Sequence, residues 1–465
     1  MLEDRSCVVS RGYPRACEPD NSWGCMTCRV DNGKRPLEIE EEEEEDVGPR
    51  KLPKRSEARP IVNPTLGLCE TSKAMEGESL DLTLGLRGTS GPPEAQSGNK
   101  QQAGDDSGGD PDSSTLIPGL KRDSALECLI RCSRSKYGSI AVLSKSLHSV
   151  FRSGEVYKMR RLNGLIEHWV YISCNLREWE AFDPNLRRWM RLPMMDPNDC
   201  FAFSDKESLA VGTELLVFGK EFMDNVIYKY SLLSNKWSTG MRMHTPRCLF
   251  ASASLGHIAV IAGGCDSHGQ VFSSAELYNS ETGEWETLPS MHRPRKLCSG
   301  FFMDEKFYVI GGVGGSNSKP LKCAEEFDFA TRTWREIDDL SPARGDAAAE
   351  NEVRVTSEAP PLVAVVDNEL YAADHANMEV RKYDKATREW LTVGRLPEHA
   401  DSMNGWGLAF RACGQRLICI GGPRAYGEGF IEVNSWIPSE GPPRWNLLGR
   451  KQSASFVYNC AVMGC

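Results

Sequence analysis

Hydrophobic and polar positions follow three different spacings along this chain. Residues 1 to 113 carry no sustained apolar period and are rich in Glu, Gly, Pro, Ser and Asp. Such a composition buries too little to offset chain entropy, so this stretch is expected to be disordered. Residues 114–163 place their apolar side chains at helical intervals: Leu126, Leu129 and Ile130, then Ile140, Leu143 and Leu147, then Val150 and Phe151. That spacing predicts three short helices, the first capped by Asp123 or Ser124 and separated from the next by Gly138 and Ser139. From Glu167 onward the signal is β throughout. Short apolar runs such as 257–262, 306–310 and 415–420 end in paired glycines, Gly263-Gly264, Gly311-Gly312 and Gly421-Gly422.

The β region repeats. Phe182 and Trp189, Tyr230 and Trp237, Tyr278 and Trp285, Phe327 and Trp334, and Tyr383 and Trp390 are each seven positions apart. Successive Trp intervals are 48 (189 to 237), 48 (237 to 285), 49 (285 to 334), 56 (334 to 390) and 55 (390 to Trp445). A period near fifty is that of a propeller blade. Between the two aromatics lie turn residues, as in Phe182-Asp-Pro-Asn-Leu-Arg-Arg-Trp189. The pair therefore sits on adjacent antiparallel strands and packs as core rather than touching a ligand. Paired glycines let the chain bend where blades crowd the axis. The pattern is degenerate at Phe218-Gly219 and Ala372-Ala373, and the last blade has Trp436 nine positions before Trp445.

Strand, diglycine, Tyr, six residues and Trp together resemble the kelch repeat. The first unit, His168 to Trp189, has three strands and none before it, and the run at 455–462 offers the missing one. Six blades are expected over residues 164–465, closed by the C-terminal strand beside the first blade so that no sheet edge is left free.

The helical stretch has its own likeness. Ile117-Pro118-Gly-Leu120, Ala125-Leu-Glu-Cys-Leu-Ile130 and Ile140-Ala-Val-Leu-Ser-Lys-Ser-Leu-His-Ser-Val150 look like an F-box, with Ile117 before the Pro and Leu147 where Trp is common. A helical unit of about fifty residues buries little alone, so an exposed apolar face on it would be a docking surface. The ordered part resembles the plant F-box/kelch-repeat proteins. That resemblance implies a non-catalytic substrate receptor, with Ile117, Pro118, Leu120, Leu126, Leu129, Ile130, Ile140, Leu143 and Leu147 meeting a Skp-type adaptor of a cullin ubiquitin ligase. A helical linker that only packs on the propeller is the plainer alternative.

The target, not identified by the sequence, is expected at loops that converge on the propeller axis. Thr245-Pro-Arg247 and Arg293-Pro-Arg295 occupy equivalent places, each last Arg sixteen residues before its first glycine (247 to 263, 295 to 311). By resemblance to other kelch domains these arginines line a central pocket suited to carboxylate or phosphate. Structural ion pairing between blades is the competing role. The irregular segment 341–361 is a candidate recognition loop.

Charge and chemistry add limits. A formal charge of -10 argues against a general nucleic-acid binder. No apolar run is long enough to span a bilayer, and the first twenty residues show no secretory pattern, so a soluble intracellular protein is expected. The 17 Cys then read as reduced thiols, with Cys298, Cys413, Cys419 and Cys460 serving as small hydrophobes. Cys25 and Cys28 have metal-ligand spacing without a second pair, and no metal or other cofactor is expected. Residues 40–46 are a continuous acidic spacer. The basic cluster at 50–55 suits nuclear import, so nucleus or cytoplasm is expected. The leucine row Leu80, Leu82, Leu84 and Leu86 resembles a plant repression motif and supports a rival function, a non-degradative nuclear scaffold. A copper oxidase on a kelch propeller would need a Tyr and His ligand set in a secreted chain, which eight scattered His do not suggest.

Overall fold

The computed structural model describes residues 115–174, 177–204, 206–222, 224–314, 319–342, 359–400, 402–422 and 429–465. The Cys25 and Cys28 pair, the acidic run, the basic cluster and the leucine row lie outside the described residues, as does most of segment 341–361.

Four helices come first: α1 (Arg122–Arg131), α2 (Tyr137–Ala141), α3 (Lys145–Arg152) and α4 (Glu155–Leu162), where the sequence pattern predicts three. The extra break has local causes. Ser144 caps α3, its side chain accepting from Leu147 N at 3.1 Å, and Gly154 sits at φ +80° ahead of α4.

Six four-stranded antiparallel sheets follow, each an independent blade. Their innermost strands, in ring order, are Asn459–Gly464, Glu207–Val211, Ala251–Leu255, Ser299–Met303, Val363–Val366 and Ala409–Cys413. Each packs beside the next, and the sixth returns to the first. Closure runs as the sequence suggests. The last strand pairs along its whole length with His168–Ser173, from His168 opposite Gly464 to Ser173 opposite Asn459.

The aromatic pairs lie directly opposite one another on the third and fourth strands of blades one to five, with ring centroids 4.8, 5.5, 4.9, 5.1 and 5.4 Å apart. Five tryptophans also do something a phenylalanine could not. The indole N–H of Trp237, Trp285, Trp334, Trp390 and Trp445 donates to Pro193, Met241, Pro289, Leu340 and Arg395 respectively, at 2.7 to 3.0 Å. Each acceptor is a backbone carbonyl on the chain leaving the previous blade, so every such Trp clasps its neighbour. In blade six the ring partners are Trp436 and Trp445, 6.0 Å apart and nearly edge to face.

The glycine pairs split into two kinds. Gly263, Gly264, Gly311 and Gly312 all hold φ between +66° and +88°. A Cβ on Gly263 would stand 2.4 Å from Arg295 O, and one on Gly312 2.6 Å from Lys296 O. Gly421 and Gly422 depart from the expected pattern. Neither is left-handed, the strand runs on through Gly421, and only Gly421 is pressed, with a Cβ placed 2.3 Å from His399 O.

Candidate functional site

Two surfaces carry the chemistry that the sequence suggests, one on the helices and one at the loops that lead into the innermost strands.

The helices are seated on the ring. Leu126, Leu129 and Ile130 of α1, Leu147, Val150 and Phe151 of α3, and Val156 and Tyr157 of α4 share one buried cluster with Trp169, Tyr171, Leu215, Val217 and Met463 of blades one and two. Two buried arginines rivet this contact. Arg134 donates through Nη1 to Glu167 O (2.8 Å) and Met463 O (3.3 Å), and its guanidinium lies 4.3 Å from the ring centre of Trp169. Arg160 of α4 donates through Nη1 to Ile130 O, Cys132 O and the Tyr137 hydroxyl, each at 2.8 Å. Its Nη2 meets Glu167 Oε1 at 3.2 Å. Glu167 joins the two systems, because its backbone exchanges both hydrogen bonds with Cys465, the residue just after the closing strand. Removing either arginine would strand buried carbonyls, the costly case for hydrogen bonds.

This seating corrects the residues expected to meet an adaptor. Leu126, Leu129, Ile130 and Leu147 are at most 6% exposed and hold the helices to the ring. Ile117 and Ile140 are half-buried against the same cluster. Pro118, Leu120 and Leu143 do reach the surface, Leu143 with 73% of its area exposed. Beside it stands a residue sequence reasoning passed over, Val142, at 79%. Helical periodicity identifies an apolar face without saying what covers it. Here a propeller blade covers most of the face, and the turn between α2 and α3 presents what is left.

Arg247 and Arg295 do not line a pocket. Both guanidinium groups are wholly buried. Arg247 pairs with Glu276 Oε1 at 2.7 Å and donates to Gly263 O and Ser274 O. Arg295 pairs with Glu325 Oε1 at 2.8 Å and donates to Gly311 O and Cys323 O. Each carboxylate also accepts backbone N–H groups of the inbound loop, His244 and Thr245 for Glu276, His292 and Arg293 for Glu325. These pairs pin the loop to the sheet it leads into, within a blade rather than between blades. The two glutamates had a sequence signal. Each stands two positions before its blade aromatic, Tyr278 or Phe327.

What the anchored loops bring together is apolar. Two residues past each arginine, Leu249 and Leu297 adopt φ +57° and +54°, a left-handed backbone that leucine rarely takes and that costs about 1–3 kcal/mol. Leu297 packs with Val313, Leu249 and Trp406, so the loops of blades three, four and six meet in one cluster. Nearby in sequence, Met403 leaves 57% of its area exposed. The arginine, one residue, then leucine at 247–249 and 295–297 was the available sequence signal.

Comparison with known proteins agrees with this architecture. The kelch motif family matches residues 246–292 and 294–341, which cover blades three and four. The Arabidopsis thaliana F-box/kelch-repeat protein SKIP11 is 54% identical over the whole of both chains. F-box/kelch-repeat protein At1g26930 of the same plant is 62% identical over 78% of this chain and 86% of its own length. F-box/kelch-repeat protein At1g74510 is 50% identical over the whole of both. A six-bladed ring with kelch glycines and tryptophan clasps, preceded by a seated bundle of short helices, and such identity along the full chain place this protein in the F-box/kelch-repeat family.

Proposed function

We propose that this chain is the substrate-recognition subunit of an SCF-type E3 ubiquitin ligase, its helices docking a Skp-type adaptor and its propeller holding the target. The observation that carries this reading is the pair Val142 and Leu143, adjacent and 79% and 73% exposed on a helical unit whose apolar face is mostly covered by the ring, in a chain of this family. Two adjacent large aliphatic side chains at that exposure suit burial by a second protein, where such anchors dominate binding. Ubiquitin transfer takes place on other subunits of the ligase, so this chain works by positioning. Holding the target and the charged conjugating enzyme in one assembly raises the effective concentration of the target lysine. The target meets the loop face around Leu249, Met403 and Trp406 rather than the buried arginines.

The test pairs purified chain with purified adaptor. Val142→Asp with Leu143→Asp abolishes adaptor capture while the thermal melt stays that of wild type. Leu126→Asp instead lowers the melt, because it strikes the seat on the ring. Unchanged adaptor affinity in the double variant refutes the docking surface. Copurification with a corepressor and without adaptor or cullin would favour the nuclear scaffold instead.

A further inference from the structure

Blades three and four make one contact with two different chemistries. In each, the residue after the buried arginine faces the residue after the glycine pair, and the two exchange both backbone hydrogen bonds. In blade four the pair is Lys296 and Val313, at 2.9 and 2.8 Å. In blade three it is Cys248 and Cys265, both at 2.9 Å. Lysine and valine show that the bridge forms without sulfur, since the two backbone hydrogen bonds are the same in both blades. The backbone bridge of blade three therefore does not depend on its thiols.

Their geometry is that of a dithiol ready to close. Gly264 permits the approach, since a Cβ there would stand 2.5 Å from Cys248 O. Facing residues of a hydrogen-bonded antiparallel pair hold their Cα atoms about 5.5 Å apart. A disulfide spans roughly 4.4–6.8 Å between Cα atoms. The two sulfurs already stand 3.9 Å apart. Joining them takes side-chain rotation and a small approach of the two backbones.

Other cysteines behave differently. Burial pushes the thiols of Cys298 and Cys413 up to about 12 and that of Cys460 up to about 11, so they stay protonated and inert. Cys265 is shifted the other way: its hydrogen bond with the Cys248 thiol, together with the nearby Lys296 ammonium, holds it below the usual thiol range despite burial. Cys248, its partner, is exposed to solvent on the loop face.

We propose that Cys248 and Cys265 form a reversible oxidation site for hydrogen peroxide on the loop face of the propeller. The Cys248 sulfur attacks one peroxide oxygen and the O–O bond breaks. Cys248 becomes a sulfenic acid, and the departing hydroxide takes the thiol proton to leave as water. The Cys265 sulfur then attacks the Cys248 sulfur, the S–O bond breaks, and a second water leaves with the Cys265 proton. Two thiols thus lose two electrons and two protons, and one peroxide becomes two waters. A dithiol reductant restores both thiols by exchange through a mixed disulfide. The bond staples the loop that carries Leu249 to the end of the second strand, so this face exists in two covalent states. The chemistry holds whether or not that face meets a target.

The experiment uses the full chain. Protein is treated with hydrogen peroxide, blocked with N-ethylmaleimide, digested with trypsin and weighed. Cleavage after Arg247 and Arg295 leaves both cysteines on one segment, residues 248–295. The expected segment is lighter by two hydrogens, carries no maleimide, and gains two maleimide groups when dithiothreitol precedes blocking. Cys265→Val, the residue found in blade four, keeps the wild-type melt and loses this link, its Cys248 advancing instead to the sulfinic acid. A wild-type segment that still takes up two maleimide groups after peroxide overturns the proposal. So does sulfinic acid on Cys248 beside an alkylated Cys265.

Discussion

Blades three and four differ from the other four in how they hold their inbound loop, and the difference separates what makes a blade from what decorates one. In three and four an arginine wholly out of solvent reaches a glutamate wholly out of solvent, and two left-handed glycines admit the neighbouring backbone. Blade six replaces this with Glu432, held by His399 at 3.1 Å and Arg450 at 3.2 Å, both partners more than half exposed. Blade five reverses the charges, with Arg381 in the place two before its aromatic and Asp374 as partner at 2.6 Å. Blade two uses the short helix Asp199–Phe203, whose Phe201 packs where a Cβ on Gly219 would sit 2.5 Å away. All keep the four-stranded sheet, and blades one to five keep the facing aromatics. Strand pattern and aromatic pair therefore specify the blade, while the anchor varies with local supply.

The ring seam offers the harshest test of that view, because blade one takes its innermost strand from the far end of the chain. Deleting residues 459–465 should remove the cooperative melt altogether, since it opens the ring and takes away the Met463 and Cys465 contacts of the helices; calorimetry that still shows one sharp transition would break the scheme. Next come the anchors. Glu325→Ala leaves Arg295 charged and buried without its carboxylate and should cost about 3–5 kcal/mol in denaturant unfolding. Glu432→Ala, whose partners can turn to water, should cost about 1 kcal/mol or less. Equal losses would mean that burial does not separate the two anchors. The aromatics follow. Trp285→Ala should cost about 3–5 kcal/mol, and Trp285→Phe only about 1–3 kcal/mol, because it removes the clasp and strands Met241 O while keeping most of the ring area. Smallest is the glycine contrast. Gly264→Ala should cost about 1–3 kcal/mol through its left-handed backbone and its clash with Cys248 O. Gly422→Ala should stay within about 0.5 kcal/mol, having no neighbour closer than 3.4 Å to its added Cβ.

The legible part of this molecule is the part governed by period. Trp spacing announced six blades, the run at 455–462 announced the closing strand, and the seven-residue aromatic interval announced facing side chains. Side-chain contacts between residues far apart in the chain were not announced. An arginine in a Thr-Pro-Arg loop reads as a surface group until its glutamate, 29 residues on at 276, is seen beneath it. Leu126 and Leu147 read as a docking face until a blade is found against them. Val142 and Leu143 escaped notice as a pair because two neighbours in sequence point to different sides of a helix, and only the turn after α2 exposes both.

Because Glu167 is gripped at once by Arg134, Arg160 and Cys465, helices α1 to α4, made early, acquire their platform only when residues 459–465 arrive. A nascent or truncated chain would lack that platform. Assembly thus carries its own proofreading: an unfinished chain has no properly mounted helical unit to present.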